Sequence, residues 1–318
     1  MTASTAVRPQ PRADEPPPVR PRRRPRRPRR SLADHPLPWI GPAIALIVLV
    51  VLWPVYEMVR TSTLRISTSG FVRGDAGLDK YRKLFAEPDL GAVIGWTLVW
   101  TLTVVGLTLL LSLGLAQLFH QDFPGRRITR WALIAPWAAS VLMTAIGFKW
   151  MLDRTAGVLN TALTDLGLVD GPRDWLGDPA TARPWMVLVA VFVSLPFTTY
   201  TLLAGLQTIP AEVYEAATVD GSGPWQTYRR ITLPLLRPAL LVALVINLIN
   251  VFNSFPVIWG MTQGGPDSDT ATTTVFAYQL MNTDIGESAA MSVVNFGLIV
   301  LLVLVFLKVS RFQEDDAR

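Results

Sequence analysis

The chain contains no cysteine. Disulfides, thiol nucleophiles and thiolate metal sites are therefore excluded. Histidine is almost as scarce: His35 and His120 are the two in 318 residues, and both stand at the edges of apolar stretches. Two histidines so placed speak against metal- or imidazole-based catalysis. Charged residues make up 17% of the chain, against about a quarter in an ordinary soluble domain. No Gly-x-x-x-x-Gly-Lys-Ser/Thr segment exists, so there is no phosphate loop to hold and hydrolyse a nucleotide. A membrane enzyme would need convergent acids or histidines near the apolar stretches, and these are missing too.

What is there is hydrophobic. Half the residues are apolar and the mean hydropathy is +0.35. Six apolar blocks follow one another, at 37–58, 92–119, 131–150, 185–206, 239–261 and 289–307. Each meets the roughly 20 residues a spanning helix needs. In lipid the backbone must bond to itself, so blocks this apolar are expected to be helices. Trp39, Trp53, Trp96, Trp131, Trp150, Trp185 and Trp259 stand toward block ends, as interfacial anchors do. The expected fold is all-α, a polytopic membrane protein with six transmembrane helices over 37–310 and tails at 1–36 and 311–318. Pro38, Pro42, Pro54, Pro136, Pro196 and Pro256 are expected to kink the spans they border or interrupt.

Orientation comes from positive charge. Ten of the first thirty residues are Arg, interleaved with Pro. Such a segment cannot bury enough surface to fold. It reads as a solvated tail that keeps the N-terminus in the cytoplasm and is drawn to anionic lipid, rather than as a nucleic-acid arm or a cleaved signal peptide. Six crossings then put three further segments inside: 120–130 with Arg126, Arg127 and Arg130; 207–238 with Arg229, Arg230 and Arg237; and the C-terminal end with Lys308, Arg311 and Arg318. The segment 262–288 falls outside and carries acids alone: Asp267, Asp269, Asp284 and Glu287. Residues 60–91 fit less well. They also fall outside, yet hold Arg60, Arg65, Arg73, Lys80, Arg82 and Lys83, only partly offset by Asp75, Asp79, Glu87 and Asp89.

The inner segment 207–238 is built as a knob. Pro210 suits a helix start, Glu212 and Glu215 favour its N-terminal half, and Gly221-Ser222-Gly223-Pro224 stops it. A second helical stretch, 225–232, would lead into the fifth block. Val213 shares a face with Ala216 and Ala217. That small face suits either close approach by another protein or packing on the chain's own bundle. The skeleton is Glu215-Ala216-Ala217, Gly221, Ile231 and Leu233-Pro234. It resembles the EAA loop of permease subunits in bacterial ABC importers.

That resemblance implies the ABC type I importer permease fold. It also implies that Glu215, Ala216, Ala217, Asp220 and Gly221 couple to an ATPase, with Glu215 as the ion-pair residue and Gly221 as the turn. Implied partners are a second permease subunit, two copies of the ATPase and an extracellular solute-binding lipoprotein. The chain itself would hold no cofactor, since ATP and Mg would sit in the partner ATPase, and it would work in a bacterial plasma membrane.

Polar groups inside spans usually face a cavity or another helix. The fifth block carries Asn247, Asn250, Asn253 and Ser254, with 247, 250 and 254 on one face. The fourth adds Ser194, Thr198 and Thr199 beside Phe197, and the sixth adds Asn295. Such groups suit a neutral polyhydroxylated solute, and they equally suit helix-to-helix bonding. The stretches Phe252-Asn253-Ser254-Phe255, Met261-Thr262-Gln263-Gly264-Gly265-Pro266 and Thr272-Thr273-Thr274 resemble the sugar-permease subfamily of maltose, trehalose and glycerol-phosphate type. The resemblance implies substrate contact by Ser194, Phe197, Asn247, Asn250, Val251 and Ser254. Val251 stands where the maltose-type member has a polar residue and Asn250 where it has an aromatic one, so the sugar stays open. A permease for another small solute, or a stand-alone secondary transporter, are the alternatives. The latter leaves the loop skeleton without a purpose and lacks mid-span ionisable residues. The loop 262–288 is either a contact for the binding protein or a plain turn.

Overall fold

The structure, a computed structural model, describes residues 37–67 and 69–315; the expected tail 1–36 and the last three residues lie outside them. The chain divides after Trp53 into two compact units. In the first, α1 (Leu37–Ile47) runs into a π-helical turn at Val48–Leu52. The turn closes with the Trp53 N–H on the Val48 carbonyl, directly before Pro54. Proline has no N–H and its ring crowds the carbonyl four residues back. One extra residue per turn moves that carbonyl aside.

The second unit starts in α2 (Trp53–Thr61) and a two-stranded antiparallel ribbon, β1 (Leu64–Ile66) with β2 (Val72–Asp75). The ribbon is a departure from the all-α expectation. Then come α3 (Asp79–Ala86), α4 (Leu90–His120), α5 (Arg126–Ala138), α6 (Val141–Met151), α7 (Val158–Asp165) and α8 (Pro179–Gln207). A connecting segment follows with α9 (Ala211–Val219), α10 (Pro224–Thr227), a second π turn at Tyr228–Thr232 and α11 (Leu233–Leu235). Last are α12 (Arg237–Phe252), α13 (Phe255–Met261), α14 (Thr273–Met281) and α15 (Ile285–Asp315).

Among the described residues, four helices are long and apolar enough to cross a membrane: Trp39–Thr61, Leu90–His120, Pro179–Gln207 and Ile285–Lys308. A fifth results if Pro224–Leu235 and Arg237–Phe252, bent by 65°, count as one span. The other two apolar blocks are not continuous helices. Block 131–150 breaks between α5 and α6 at Ala139-Ser140, where Ser140 is extended. Block 239–261 breaks between α12 and α13 at Asn253-Ser254. Pro256 explains the second break: it sits in the first turn of α13, where a missing N–H is harmless, and so restarts a helix instead of kinking one.

Helix α4 shows why the bundle packs. Val93, Thr97, Trp100, Val104, Thr108, Ser112, Ala116 and Phe119 recur every three or four residues and are buried. Thr97 and Thr101 return their hydroxyls to carbonyls one turn back, at 2.7 and 2.8 Å, so they enter the core without an orphan donor. One core cluster gathers around Trp100, Met186, Ile258 and Met291, and a second around Phe119, Leu202, Leu206 and Leu236.

Contacts among the connecting segments sort the bundle into two ends. At one, α3 meets the start of α15. Lys80 Nζ lies 2.5 Å from Asp284 Oδ2, and Lys83 pairs with Glu287. Gly286 lets this happen, since a Cβ there would come within 2.6 Å of the Leu64 carbonyl and 2.9 Å of the Lys80 side chain. Two cations of the segment that fits the charge rule least are thus neutralised by acids of the segment that carries acids alone. Glu287 is 0% exposed. Hydrogen bonding to Glu287 raises the Lys83 pKa above its ordinary value, against the opposing effect of burial. Burial pushes Asp284 up, but the Lys80 hydrogen bond, the Glu287 N–H and both lysine charges together hold it below the usual carboxylate range.

A depressed acid contributes stability above its unfolded pKa and loses it as pH falls through the folded value; a raised lysine contributes below its unfolded pKa and loses it as pH rises. The cluster should therefore hold unchanged between about pH 5 and 9. Within that window Lys83→Met, which strands a buried carboxylate, is expected to cost about 1–3 kcal/mol, less than a fully enclosed pair because Lys83 is half in water. Glu287→Gln should cost less. Thermal inactivation midpoints of the two variants in detergent check the order.

Candidate functional site

Both helix breaks open on one cavity of about 430 Å³. Trp137, Ala139 and Val141 border it around the first break; Asn253, Ser254, Pro256 and Val257 border it around the second. Interrupted backbone at membrane depth is tolerated where it is enclosed in protein or lines a wet cavity. The second break is closed by local bonds. The Asn253 and Ser254 N–H groups donate to Ile249 and Val251 carbonyls at 3.2 and 3.1 Å, and Trp100 Nε1 donates to the Val251 carbonyl at 3.0 Å. Gly260 brings α13 onto α6, with Ala145 and Leu142 about where a Cβ would touch, at 3.0 and 3.2 Å.

The structure sets all six predicted pathway residues on this wall: Ser194 and Phe197 from α8, Asn247, Asn250 and Val251 from α12, and Ser254 from the break. They are not equivalent. Asn247 is buried and donates its amide protons to Thr198 Oγ1 at 2.7 Å and to the Ala243 carbonyl at 2.8 Å. That is the helix-joining role. Val251 is buried as well. Asn250 is exposed and, among the described residues, its side chain makes no hydrogen bond. Ser254 and Phe197 are half-buried. No charged side chain is among the lining residues, while three asparagines, two serines and the Phe197 and Trp137 rings are. The wall can exchange hydrogen bonds in both directions without binding an ion. Thr198 and Thr199 are buried away from it, and Asn295 stands behind Asn253.

The segment 207–238 lies at the other end of the bundle. Pro210 caps α9, one position before the expected first turn. The helix ends as a Schellman motif: Ser222 N–H donates to the Ala217 carbonyl at 2.9 Å and Gly221 N–H to Thr218 at 3.0 Å, with Gly221 at φ +75°. Glu215 and Ala216 are exposed, as is Asp220. Ala217 is 4% exposed. The alanine pair thus does not form one open face; Val213 and Ala217 turn inward, and Glu212, Glu215, Ala216 and Val219 share the outward face. Tyr214 anchors α9, its ring 6.5 Å from His120 at the end of α4 and its hydroxyl accepting from Thr232 at 3.4 Å. The expected second helical stretch is present but widened by the π turn at Tyr228–Thr232, again directly before a residue–proline pair, Leu233-Pro234.

The sequence reading passed over several residues. Val219 is 87% exposed and Trp225 72%, so the knob carries an apolar surface beyond the Glu-Ala-Ala run. Trp137, Ala139, Val193 and Pro256 line the cavity. Their signal was a proline inside an apolar block with polar or small residues just before or after it.

The model of the binding-protein-dependent transport system inner membrane component family matches residues 108–313. The chain belongs to that family. The match takes in α8, the segment 207–238 and the second break. Over 90% of its length, and 100% of the relative's, the chain is 38% identical to a probable ABC transporter permease protein of Brucella suis biovar 1. It is 32% identical to the trehalose/maltose transport system permease protein MalF of Thermococcus litoralis, over 88% of this chain and 93% of that one. A crystal structure of a bacterial ABC transporter involved in the import of the acidic polysaccharide alginate shares the fold, with a TM-score of 0.73 at 24% identity over 86% of this chain and 94% of that one. As a family member, the chain is a multi-pass inner-membrane component of a transport system.

The Schellman geometry makes one position sensitive. Gly221→Asn, a residue that accepts positive φ, should leave α9 intact. Gly221→Val should cost about 1–2 kcal/mol and fray the helix end. Faster proteolytic cleavage within 207–238 in the Val variant alone is the expected readout.

Proposed function

We propose that the chain is the membrane-spanning permease subunit of an ATP-driven, binding-protein-dependent carbohydrate importer. One observation carries the reading: an uncharged cavity walled by amides, hydroxyls and aromatic rings at the meeting of two broken helices, in a chain whose relatives include the trehalose/maltose permease of Thermococcus litoralis and the diacetylchitobiose uptake permease of Streptomyces coelicolor. A hydroxyl-rich solute needs donors and acceptors together with an apolar ring face, and discontinuous helices commonly build solute sites near the bilayer midplane. An alginate transporter captured with a pentasaccharide-bound periplasmic protein supports a binding-protein partner.

In this reading the chain makes six crossings, two of them interrupted, with both termini in the cytoplasm. It pairs with a second permease and two ATPase subunits, which bind ATP and Mg and perform the hydrolysis. Closure of the ATPases on ATP draws in the 207–238 knobs and turns the cavity outward, where the binding protein releases its sugar. Hydrolysis restores the inward-facing state. The nucleotide thus biases a two-state equilibrium through its different affinity for the two states. Glu215 pairs with a basic residue of the ATPase, Ala216 permits close approach, and Ala217 and Gly221 hold the knob's shape. Ser194, Phe197, Asn250 and Ser254 face the sugar, and Asn247 and Val251 brace the wall.

Two measurements test it. Glu215→Lys should insert and assemble at normal levels yet abolish uptake, since a mismatched charge at a docking contact costs several kcal/mol; normal transport by this variant refutes the coupling role. Single cysteines at Val219 or Trp225 should react with a membrane-impermeant maleimide only from the cytoplasmic side. Labelling from outside intact cells would overturn the topology.

A further inference from the structure

Asn253 is one of the polar residues of the fifth block but not one of the six that the resemblance sets against the solute; it is exposed at the cavity break and bonded to a residue of another helix. Its Nδ2 donates to the Ile249 carbonyl at 3.0 Å, and its Oδ1 accepts from Asn295 Nδ2 at 3.4 Å. A primary amide has two donors and two acceptor sites, so one N–H and one lone pair stay free. The Ile249 carbonyl can only accept, so it holds the Asn253 amide with Oδ1 toward Asn295; Asn295 meets it with its NH₂ end and accepts the Thr273 hydroxyl at its own Oδ1, at 2.5 Å. Thr273 is itself fixed: its N–H donates to Thr97 Oγ1 at 2.9 Å, and the Thr97 hydroxyl donates to the Val93 carbonyl at 2.7 Å. Thr97, Thr273 and Asn295 are all buried. Burying polar side chains is unfavourable unless each is bonded, and here each is. Closing the helix break requires none of them, because Asn253 already bonds Ile249 and Trp100 already bonds Val251.

We infer that Asn253 is a solute-binding residue that offers its amide to a carbohydrate hydroxyl, and that Asn295 and Thr273 are positioning residues that, with the Ile249 carbonyl, hold its orientation. A sugar hydroxyl donates and accepts at once and so matches the free N–H and lone pair. The inference rests on the carbohydrate-importer reading above and adds to it the residue that reads the hydroxyl.

The test uses the whole importer, with its partner permease, ATPase and binding protein, reconstituted in vesicles. Uptake of radiolabelled trehalose, maltose, diacetylchitobiose, sn-glycerol 3-phosphate and histidine is measured. For the sugar that the wild type imports, Asn253→Ala should raise KM about three- to tenfold, the worth of a neutral hydrogen bond, and by more than it lowers Vmax. Asn253→Asp, which keeps the volume and loses the donors, should do the same and serves if the alanine variant fails to assemble. Thr273→Val should raise KM, and Thr273→Ser should restore it. In the Asn253→Ala background Thr273→Val should add less than twofold, because its effect runs through Asn253. A KM within twofold of wild type in both Asn253 variants overturns the inference and leaves the carbohydrate reading standing. So does a Thr273→Val effect of equal size in both backgrounds, which is what plain helix packing would give. A wild-type importer that moves only glycerol phosphate or histidine, or none of the panel, sinks the carbohydrate reading and this inference with it.

Discussion

A helix in hydrocarbon can stop only where protein or trapped water answers its freed backbone groups. That constraint organises this molecule. Two apolar blocks stop mid-course, at Ala139-Ser140 and Asn253-Ser254, and both stops face the same cavity. The interruptions do more than the polar side chains to locate the cavity, because a polar side chain has a second use. Asn247 illustrates this: it lies on the cavity wall yet spends its donors joining α12 to α8. A broken backbone has no such alternative, and its position between α6, α8 and α13 marks where the bundle is open.

The two ends of the bundle are built by different means. One is tied electrostatically and by hydrogen bonds. Lys80 and Lys83 meet Asp284 and Glu287, Arg183 stacks on Trp96 at 4.5 Å and donates to the Asp269 carbonyl at 2.6 Å, and Asn160 gathers Asp153, Arg173 and Trp175 around its amide. The loop after α13 is therefore a brace: Thr270 is buried and bonded to both Thr262 and Gly265. The other end is packed around Phe119, Leu206 and Leu236, with Arg130 donating to the Phe119 carbonyl and accepting from Tyr200 at its own, and it leaves α9 with a polar and partly apolar outward face.

Much of this was legible in the sequence. The long blocks and the end of α9 at Gly221 follow from hydropathy and turn chemistry, and the shared face of Asn247, Asn250 and Ser254 follows from helical periodicity; the gathering of Ser194 and Phe197 with them was implied by the family resemblance alone. What escaped had physical causes. Proline reads as a kink in a helix and as a start after a break, and the sequence alone does not say which; Pro256 is the start. The ribbon at Leu64–Ile66 and Val72–Asp75 is too short to show a period of two. Ala217 and Ala216 are chemically identical, and only the anchoring of Tyr214 against His120 decides that one turns in and the other out. Among the cations of 60–91, Arg60, Arg65 and Arg82 pair with nearby acids, but Lys80 and Lys83 looked like a violation of the charge rule because their partners lie 204 residues away.

Gly205 sits where α8 and α12 cross beside the knob. A methyl group there would fall 2.5 Å from the Ala239 Cβ and 2.9 Å from Leu236 Cδ1. The α8 backbone rests directly on the Ala239 methyl and the Leu236 side chain, with no room for a side chain of its own. The strand of chain that leaves α8 and the one that enters α12 are thus clasped at the root. A side chain at that one position would prise apart the two helices that carry Ser194, Phe197 and Asn250 to the cavity.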